Sequence, residues 1–316
     1  MLVPLLVFNV VRLWIAARRG PVLPAWADTA SSVWALLTLP LVVVVMWRWV
    51  PFAARVVDDN AELARRQGHE AESRMTVQKT KAVIQAVLDA GRGLRIVYQP
   101  IFNLATRTVV GFEALSRFAD HRAPDEWFEE AHSVGLGVEL EMLAITRAID
   151  EFTGHEGLYL SLNASPAALM APGLLAGLQA RVPAPHLVVE LTEHDVVEDY
   201  PAMSAVFARM HDLGIGVAID DVGSGQSTLR HVIDLRPDII KLDRGLVAHV
   251  DDDPPRMAMA KSLVQFAASV GCTIVAEGIE TVGELGTCRD LGVACGQGFL
   301  LGKPASAPSP HLSRSP

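Results

Sequence analysis

The chain has 316 residues, a formal net charge of −9 and a pI near 5.6, and half of its residues are hydrophobic. An acidic chain without a basic stripe excludes a general binder of DNA or RNA polymers, whose affinity comes from neutralising backbone phosphates with Lys and Arg. The cysteines, Cys272, Cys288 and Cys295, form neither a CxxC pair nor an even set; this excludes a disulfide framework and a structural zinc site and fits a reducing compartment.

From Ala30 to Trp47 the chain carries no charge over 18 residues. That length predicts a span of the bilayer core, with Trp47 and Trp49 in the interfacial belt. Arg48, Arg55, Arg65 and Arg66 follow it and place the downstream chain in the cytoplasm by the positive-inside tendency. The earlier run Met1–Ala17 is interrupted by Arg12 and followed by Arg18 and Arg19. It is compatible with a second span, a signal-like segment or the remnant of a longer membrane region. Residues 1–55 therefore read as a membrane anchor of one or two transmembrane helices, with membrane lipid as partner.

Residues 56–91 read as a helical linker, because Leu63, Met75, Val83, Ile84, Val87 and Leu88 are spaced to share one helix face. The heptads are not sustained, so a signalling or dimerising linker and a solvated spacer both fit, and a homodimer is left open. Beyond it, residues 92–306 read as a barrel domain and 307–316 as a disordered tail.

Short apolar runs alternate with helical stretches from Leu94 onward, and each run ends in a polar side chain. The runs are Ile96–Tyr98 before Gln99, Val109–Phe112 before Glu113, Leu158–Leu162 before Asn163 and Leu187–Val189 before Glu190. They continue with Val217–Ile219 before Asp220, Ile239–Ile240 before Lys241, Thr273–Ala276 before Glu277 and Ala294–Gly296 before Gln297. Such a pattern predicts an α/β fold, a (β/α)8 TIM-like barrel, in which strand-end residues converge on one face. Only about ten residues separate Tyr98 from Val109, too few for a crossover helix; the first strand is expected to be antiparallel, turning through Asn103–Thr106. Helices are expected over Asp125–Phe152, Pro166–Arg181, Tyr200–Leu213, Ser227–Asp234, Pro254–Val270 and Thr281–Leu291.

The strand-end residues Glu113, Asn163, Glu190, Asp220, Asp221 and Glu277 are carboxylates and one amide, with no His or Cys among them. Oxygen donors select hard cations such as Mg²⁺ or Mn²⁺. Adjacent carboxylates at Asp220 and Asp221 repel, which a shared cation resolves; an Asp- and Gly-rich turn is the plainer alternative. Two cations ~3.5–4 Å apart are the usual apparatus for in-line displacement at phosphorus. Lys241 then serves as a point charge beside phosphate or water, or else as an internal salt bridge closing the acidic cluster.

Taken in order, these stretches resemble the EAL domain family, bacterial phosphodiesterases of cyclic di-GMP. The motifs are Tyr98-Gln99-Pro100-Ile101, Glu113-Ala114-Leu115-Ser116-Arg117, Asn163-Ala164-Ser165, Glu190-Leu191-Thr192-Glu193, Ile219-Asp220-Asp221-Val222-Gly223-Ser224-Gly225, Lys241-Leu242-Asp243, Ala276-Glu277-Gly278-Ile279-Glu280 and Gln297-Gly298-Phe299. The resemblance implies that Glu113, Asn163, Glu190, Asp220, Asp221 and Glu277 hold metal, and that Glu277 and Lys241 orient or deprotonate the attacking water. It makes Gln99, Leu115, Arg117 and Asp243 contacts of the dinucleotide and Gln297 a polar partner of water or metal. By the same resemblance Glu193 positions the loop after Asp221. Departures from the family pattern are Val222, Ser224 and Gln226 in that loop and Phe118 after Arg117; none removes a metal ligand. The expected activity is hydrolysis of cyclic di-GMP to 5′-pGpG with Mg²⁺ or Mn²⁺, inhibited by Ca²⁺, at the cytoplasmic face of a bacterial inner membrane. The alternative is a weak or inactive receptor of the same nucleotide.

Overall fold

A computed structural model of the chain describes residues 25–120, 122–153, 155, 157–181, 186–191, 197–223 and 228–306; the side chains of residues 25–42 lie outside the described set. The run Met1–Ala17, Glu193, Ser224, Gln226 and the expected tail 307–316 also lie outside it.

Helix α1 spans Ala25–Ala90 and passes through the expected anchor–linker boundary at residue 55 without a break. Among the described residues no helix is long and apolar enough to cross a membrane. The expected span Ala30–Trp47 falls mostly on residues whose side chains are outside the described set. The chain divides into compact units at Met75 and Thr76 rather than at residue 91. The last turns of α1 therefore fold with the barrel, where Ile84 and Val87 are buried in its apolar layer.

Eight strands close into a barrel in sequence order, β1 to β8. They are β1 (Leu94–Asn103), β2 (Thr108–Phe118), β3 (Tyr159–Ala164), β4 (His186–Leu191), β5 (Gly216–Val222), β6 (Ile239–Leu242), β7 (Thr273–Ala276) and β8 (Cys295–Gly296). Strand β1 runs antiparallel to both its neighbours, β2 and β8. The Asn103 carboxamide oxygen accepts the N–H groups of Ala105 (3.0 Å) and Thr106 (2.9 Å), and this Asx turn makes the β1–β2 hairpin expected from the short link. The remaining pairs, β2 through β8, are parallel.

Successive strand residues face opposite sides of the sheet, and this sorts the barrel into two layers. Phe112, Leu160, Leu162, Leu187, Val189, Val217, Ile219 and Ile240 belong to one continuous apolar layer with the helices. Ile101, Val188, Ala218 and Val275 are buried apart from that layer, in the interior. Lys241 follows Ile240, so the same alternation turns it inward.

Two expected helices are each split in two. In place of one helix over Asp125–Phe152 stand α2 (Pro124–Ser133) and α3 (Gly137–Glu151). Gly135 between them has φ 73°, a left-handed turn that glycine adopts without strain. In place of Pro166–Arg181 stand α4 (Pro166–Met170) and α5 (Pro172–Gln179). Pro172 forces Ala171 into an extended conformation, φ −70° and ψ 128°, which no helix continues. Helices α6 (Tyr200–Asp212), α7 (Thr228–Leu235), α9 (Pro254–Val270) and α10 (Val282–Asp290) match expectation within a residue or so at their ends. A short turn of helix, α8 (Arg244–Val247), was not expected. Its local signal is Asp243, which caps it by accepting the N–H of Gly245 at 2.8 Å.

Candidate metal centre

The strand register decides which side chains meet. Asn163 lies level with Glu190, and Glu113 level with Ser161, while Lys241 lies level with Val275, one step below Glu277. Regular alternation would send Asp220 inward and Asp221 outward. Instead the β5–β6 register shifts between Ile219 and Val222, and Asp221 takes φ 51°. The bulge turns both carboxylates toward the carboxyl end of the barrel. The Asp221 N–H donates to Asp220 Oδ1 at 2.9 Å, which fixes the pair relative to each other.

Carboxylate oxygens gather in two groups that share Asp220. In Glu113, Glu190 and Asp220, and again in Asp220, Asp221 and Glu277, one oxygen of each residue lies within 4.8 Å of the others. Asn163 joins the first by donating from Nδ2 to Glu113 Oε1 at 3.1 Å. Gln297 bridges the two, donating to Glu113 Oε2 at 2.6 Å and Glu277 Oε1 at 3.0 Å. At the centre stands Lys241, its side chain 2% exposed. Its Nζ lies 2.6 Å from Glu190, 2.6 Å from Glu277, 3.1 Å from Asp220 and 3.5 Å from Glu113.

One ammonium among four carboxylates leaves excess negative charge, and the ionisation of the group reflects it. Burial, with Glu113 and Asp220 beside it, pushes the Glu190 carboxyl up to about 8 against the pull of Lys241. Burial likewise raises Glu277 well above the ordinary carboxylate range. Glu113 is driven up by burial too, yet Lys241 and the amides of Gln297 and Asn163 outweigh that and hold it low. For Lys241, burial works against the charge, and the four carboxylates overcome it and raise the amine.

A divalent cation fits this donor set. Every donor is a carboxylate or amide oxygen, the residual charge is negative, and Gln297 Oε1 is buried with no hydrogen-bond partner. A cavity of about 680 Å³ opens beside it, reaching from Glu113, Asn163, Asp220 and Asp221 to Leu115, Arg117 and the α2 face around Phe128.

Other predicted contacts are more scattered. Gln99 is paired across the hairpin with Glu113 and donates from Nε2 to Gly302 O at 3.2 Å. Arg117 lines the cavity while its Nη1 donates to Ser116 O at 2.7 Å. Asp243 stands at the end of β6 as the cap of α8. Sequence reasoning missed Ser161, whose hydroxyl donates to Glu190 Oε1 at 2.5 Å. Its signal was available: a lone polar residue inside an apolar run, two before Asn163 and hence on the same face.

A family model for the EAL domain matches residues 81–304. The chain belongs to the EAL domain family. Among relatives of this EAL domain, the cyclic di-GMP phosphodiesterase NbdA of Pseudomonas aeruginosa is 28% identical over 225 residues, covering 67% of this chain and 29% of that protein. The solved structure of the MucR phosphodiesterase of Pseudomonas aeruginosa with c-di-GMP has a TM-score of 0.64 and 27% identity, covering 72% of this chain and 97% of that one. Klebsiella pneumoniae BlrP1, solved as a manganese and cyclic di-GMP complex, has a TM-score of 0.61 and 27% identity, covering 68% and 57%. The chain spans about a third of the length of the first curated relatives it matches, 36% of mycobacterial proteins 30% identical to it.

Proposed function

We propose that this chain hydrolyses cyclic di-GMP to 5′-pGpG in a reaction dependent on Mg²⁺ or Mn²⁺. The observation that carries the reading is the sharing of Asp220 between two all-oxygen groups, around a buried Lys241, at the edge of a cavity lined by Arg117. Glu113, Asn163, Glu190 and Asp220 would hold one cation, and Asp220, Asp221 and Glu277 a second. Cations held in pairs supply an activated water and charge balance at phosphorus.

In the reaction the water oxygen bonds to phosphorus and the P–O3′ bond breaks, leaving a 5′-phosphate and a free 3′-hydroxyl. Glu277, raised by burial, is suited to accept the proton of the attacking water. Lys241 fixes Glu277 and Asp220 on either side of it and brings positive charge to the reacting phosphate. Arg117 is the bidentate donor for phosphate oxygens, with Leu115 as apolar wall. Asp243 is an acceptor for guanine N–H groups, and Gln99 and Gln297 complete the polar contacts; Glu193 is the positioning carboxylate of the loop after Asp221.

The test is incubation of the purified full chain with cyclic di-GMP and either cation, with chromatography of the products. Accumulation of 5′-pGpG supports the reading, and Ca²⁺ is expected to inhibit by spreading the ligand set. Binding of the nucleotide without cleavage under any divalent cation would support a receptor instead.

The reading extends to location at the bacterial inner membrane, barrel in the cytoplasm. Its support is the uncharged run Ala30–Trp47, the arginines after it, and the exposed side chains of Val43, Val44, Met46, Trp47, Trp49 and Phe52 on α1. Fractionated cells are expected to hold the chain in membranes through a carbonate wash; release into the wash would contradict it.

A further inference from the structure

Glu141 carries a charge into an apolar helix face. It lies on α3 among Leu140, Ala144, Ile145 and Ala148, and only 7% of it is exposed. A carboxylate buried there is tolerated only with partners, and Glu141 has three. Its Oε2 accepts the backbone N–H of Ser165 at 2.7 Å, and its Oε1 accepts the Ser165 hydroxyl at 2.8 Å and faces His132 Nε2 at 2.8 Å. No part of the proposed reaction uses it.

What Glu141 grips is the limb that carries Asn163. On one side that limb is held by β4, through the pairs Asn163 with Glu190 and Ala164 with Leu191. On the other side the β2 ladder ends at Ala114 with Leu162, so among the described residues no strand partners Asn163, Ala164 or Ser165 there. The Glu141 carboxylate takes the place of the missing strand. The Ser165 hydroxyl, while donating to Glu141, also accepts the N–H of Ala168 at 3.2 Å and caps α4. Three elements, β3, α3 and α4, are thus pinned at one residue, two positions beyond an amide that bonds Glu113.

His132 steadies the carboxylate from α2. Its ring packs so closely on the start of α3 that a Cβ at Gly137 would collide with it. Glycine at 137 is what admits the ring. His132, Glu141, Asn163 and Ser165 all line the same cavity.

We propose that Glu141 is a positioning residue for the metal centre: through Ser165 it sets where Asn163 presents its amide oxygen. The inference rests on the reading of Asn163 as a metal ligand. Partners that orient metal ligands typically contribute 10–100-fold to affinity or activity.

The test compares the full chain with Glu141→Gln and Ser165→Ala by Mn²⁺ titration calorimetry, thermal melting and steady-state hydrolysis. In Glu141→Gln the amide keeps one acceptor oxygen for the Ser165 N–H but sets an NH2 donor where the Ser165 hydroxyl and His132 met a carboxylate oxygen, so the charge and the hydroxyl bond are lost and the grip is weakened without a large change in shape. Mn²⁺ affinity of the folded protein is expected to fall ~10–100-fold in either variant, with kcat reduced and KM for cyclic di-GMP moved less than about threefold. Ser165→Thr keeps the hydroxyl and should restore affinity to within about threefold of the natural chain. Variants that melt lower yet bind Mn²⁺ with unchanged affinity would overturn the proposal and leave Glu141 a fold-stabilising residue. If Glu141→Gln does not fold, Ser165→Ala and its Thr counterpart decide the same question. Asp220→Asn is the control: if the natural chain binds Mn²⁺ no better than that variant, the metal centre itself fails, a result distinct from failure of the Glu141 grip.

Discussion

The two acidic groups share Asp220 but sit in different surroundings. Glu113 and Glu190 are buried and tied by hydrogen bonds from Asn163, Gln297 and Ser161. Asp221 and Glu277 are only half-buried, and Asp221 owes its place to a bulge and a left-handed φ. The first group is built before any cation arrives, because its oxygens are already oriented by protein donors. Lys241 reaches both groups, and Gln297 donates to Glu277 as well as to Glu113; what sets the second apart is the backbone at Asp221, which places its carboxylate on the cavity wall. A deeply buried group tied by fixed donors beside one placed by a bulge makes the two differ in how far a substitution can move their oxygens.

Asp220 belongs to both groups, so Asp220→Asn should remove the contrast altogether. Turnover is expected to fall by roughly 10³-fold or more, since the amide keeps the shape but not the charge that balances two cations. Product chromatography at saturating Mn²⁺ measures it, and near-natural turnover would mean that the groups do not act together.

Lys241→Ala removes the single cation among four carboxylates. Turnover should drop ~10²–10⁴-fold, and the metal-free protein should lose ~3–5 kcal/mol of stability from uncompensated buried charge. Added Mn²⁺ is expected to recover part of the Tm, because the cations then take over the neutralisation. A Tm that does not respond to Mn²⁺ would show that Lys241 closes an ion-pair cluster and nothing more.

A milder change sharpens the comparison from the deep side alone. Ser161→Ala strips one hydrogen bond from buried Glu190 and should destabilise by ~1–3 kcal/mol, while turnover changes by less than about tenfold. Denaturant melts and hydrolysis on one sample test this, and a large loss of rate would move the reactive position to the deep group.

The smallest effect is one of pH. Glu190 is raised to about 8, chiefly by burial, so below that value an entering cation must displace its proton. Apparent Mn²⁺ affinity should therefore rise with pH, by up to about tenfold per unit for each proton displaced, with the raised Glu277 carboxyl adding to the proton released by Glu190. Calorimetry in buffers of different ionisation enthalpy counts the protons; affinity independent of pH would mean that Glu190 stays out of the ligand set.

Much of this site is legible one residue at a time. A strand in a closed barrel ends at the mouth, so the polar residue after each apolar run named Glu113, Asn163, Glu190, Asp220, Lys241, Glu277 and Gln297 without any coordinates. The short link after Tyr98 likewise required the antiparallel β1, because chain length alone forbids a crossover. These are local facts, set by period, spacing and reach. The splits at Gly135 and Pro172 were also written in the chain, but the helical period on either side masked them.

Other features depend on residues far apart in sequence being brought to one place. That Lys241 stands within 3.5 Å of four carboxylates depends on the register of β2, β4, β5, β6 and β7 together. That Asp221 faces inward depends on a bulge against β6, where alternation alone predicts the opposite face. Glu141 follows no apolar strand run and belongs to none of the motifs; it gains a role only where the β2–β3 ladder ends and the Ser165 N–H turns to its carboxylate. The sequence determined which chemical groups this protein carries to the mouth of its barrel; closure of the sheet decided which of them neutralise, orient and confine one another, because those interactions act over a few ångströms and only the closed barrel brings the groups that close.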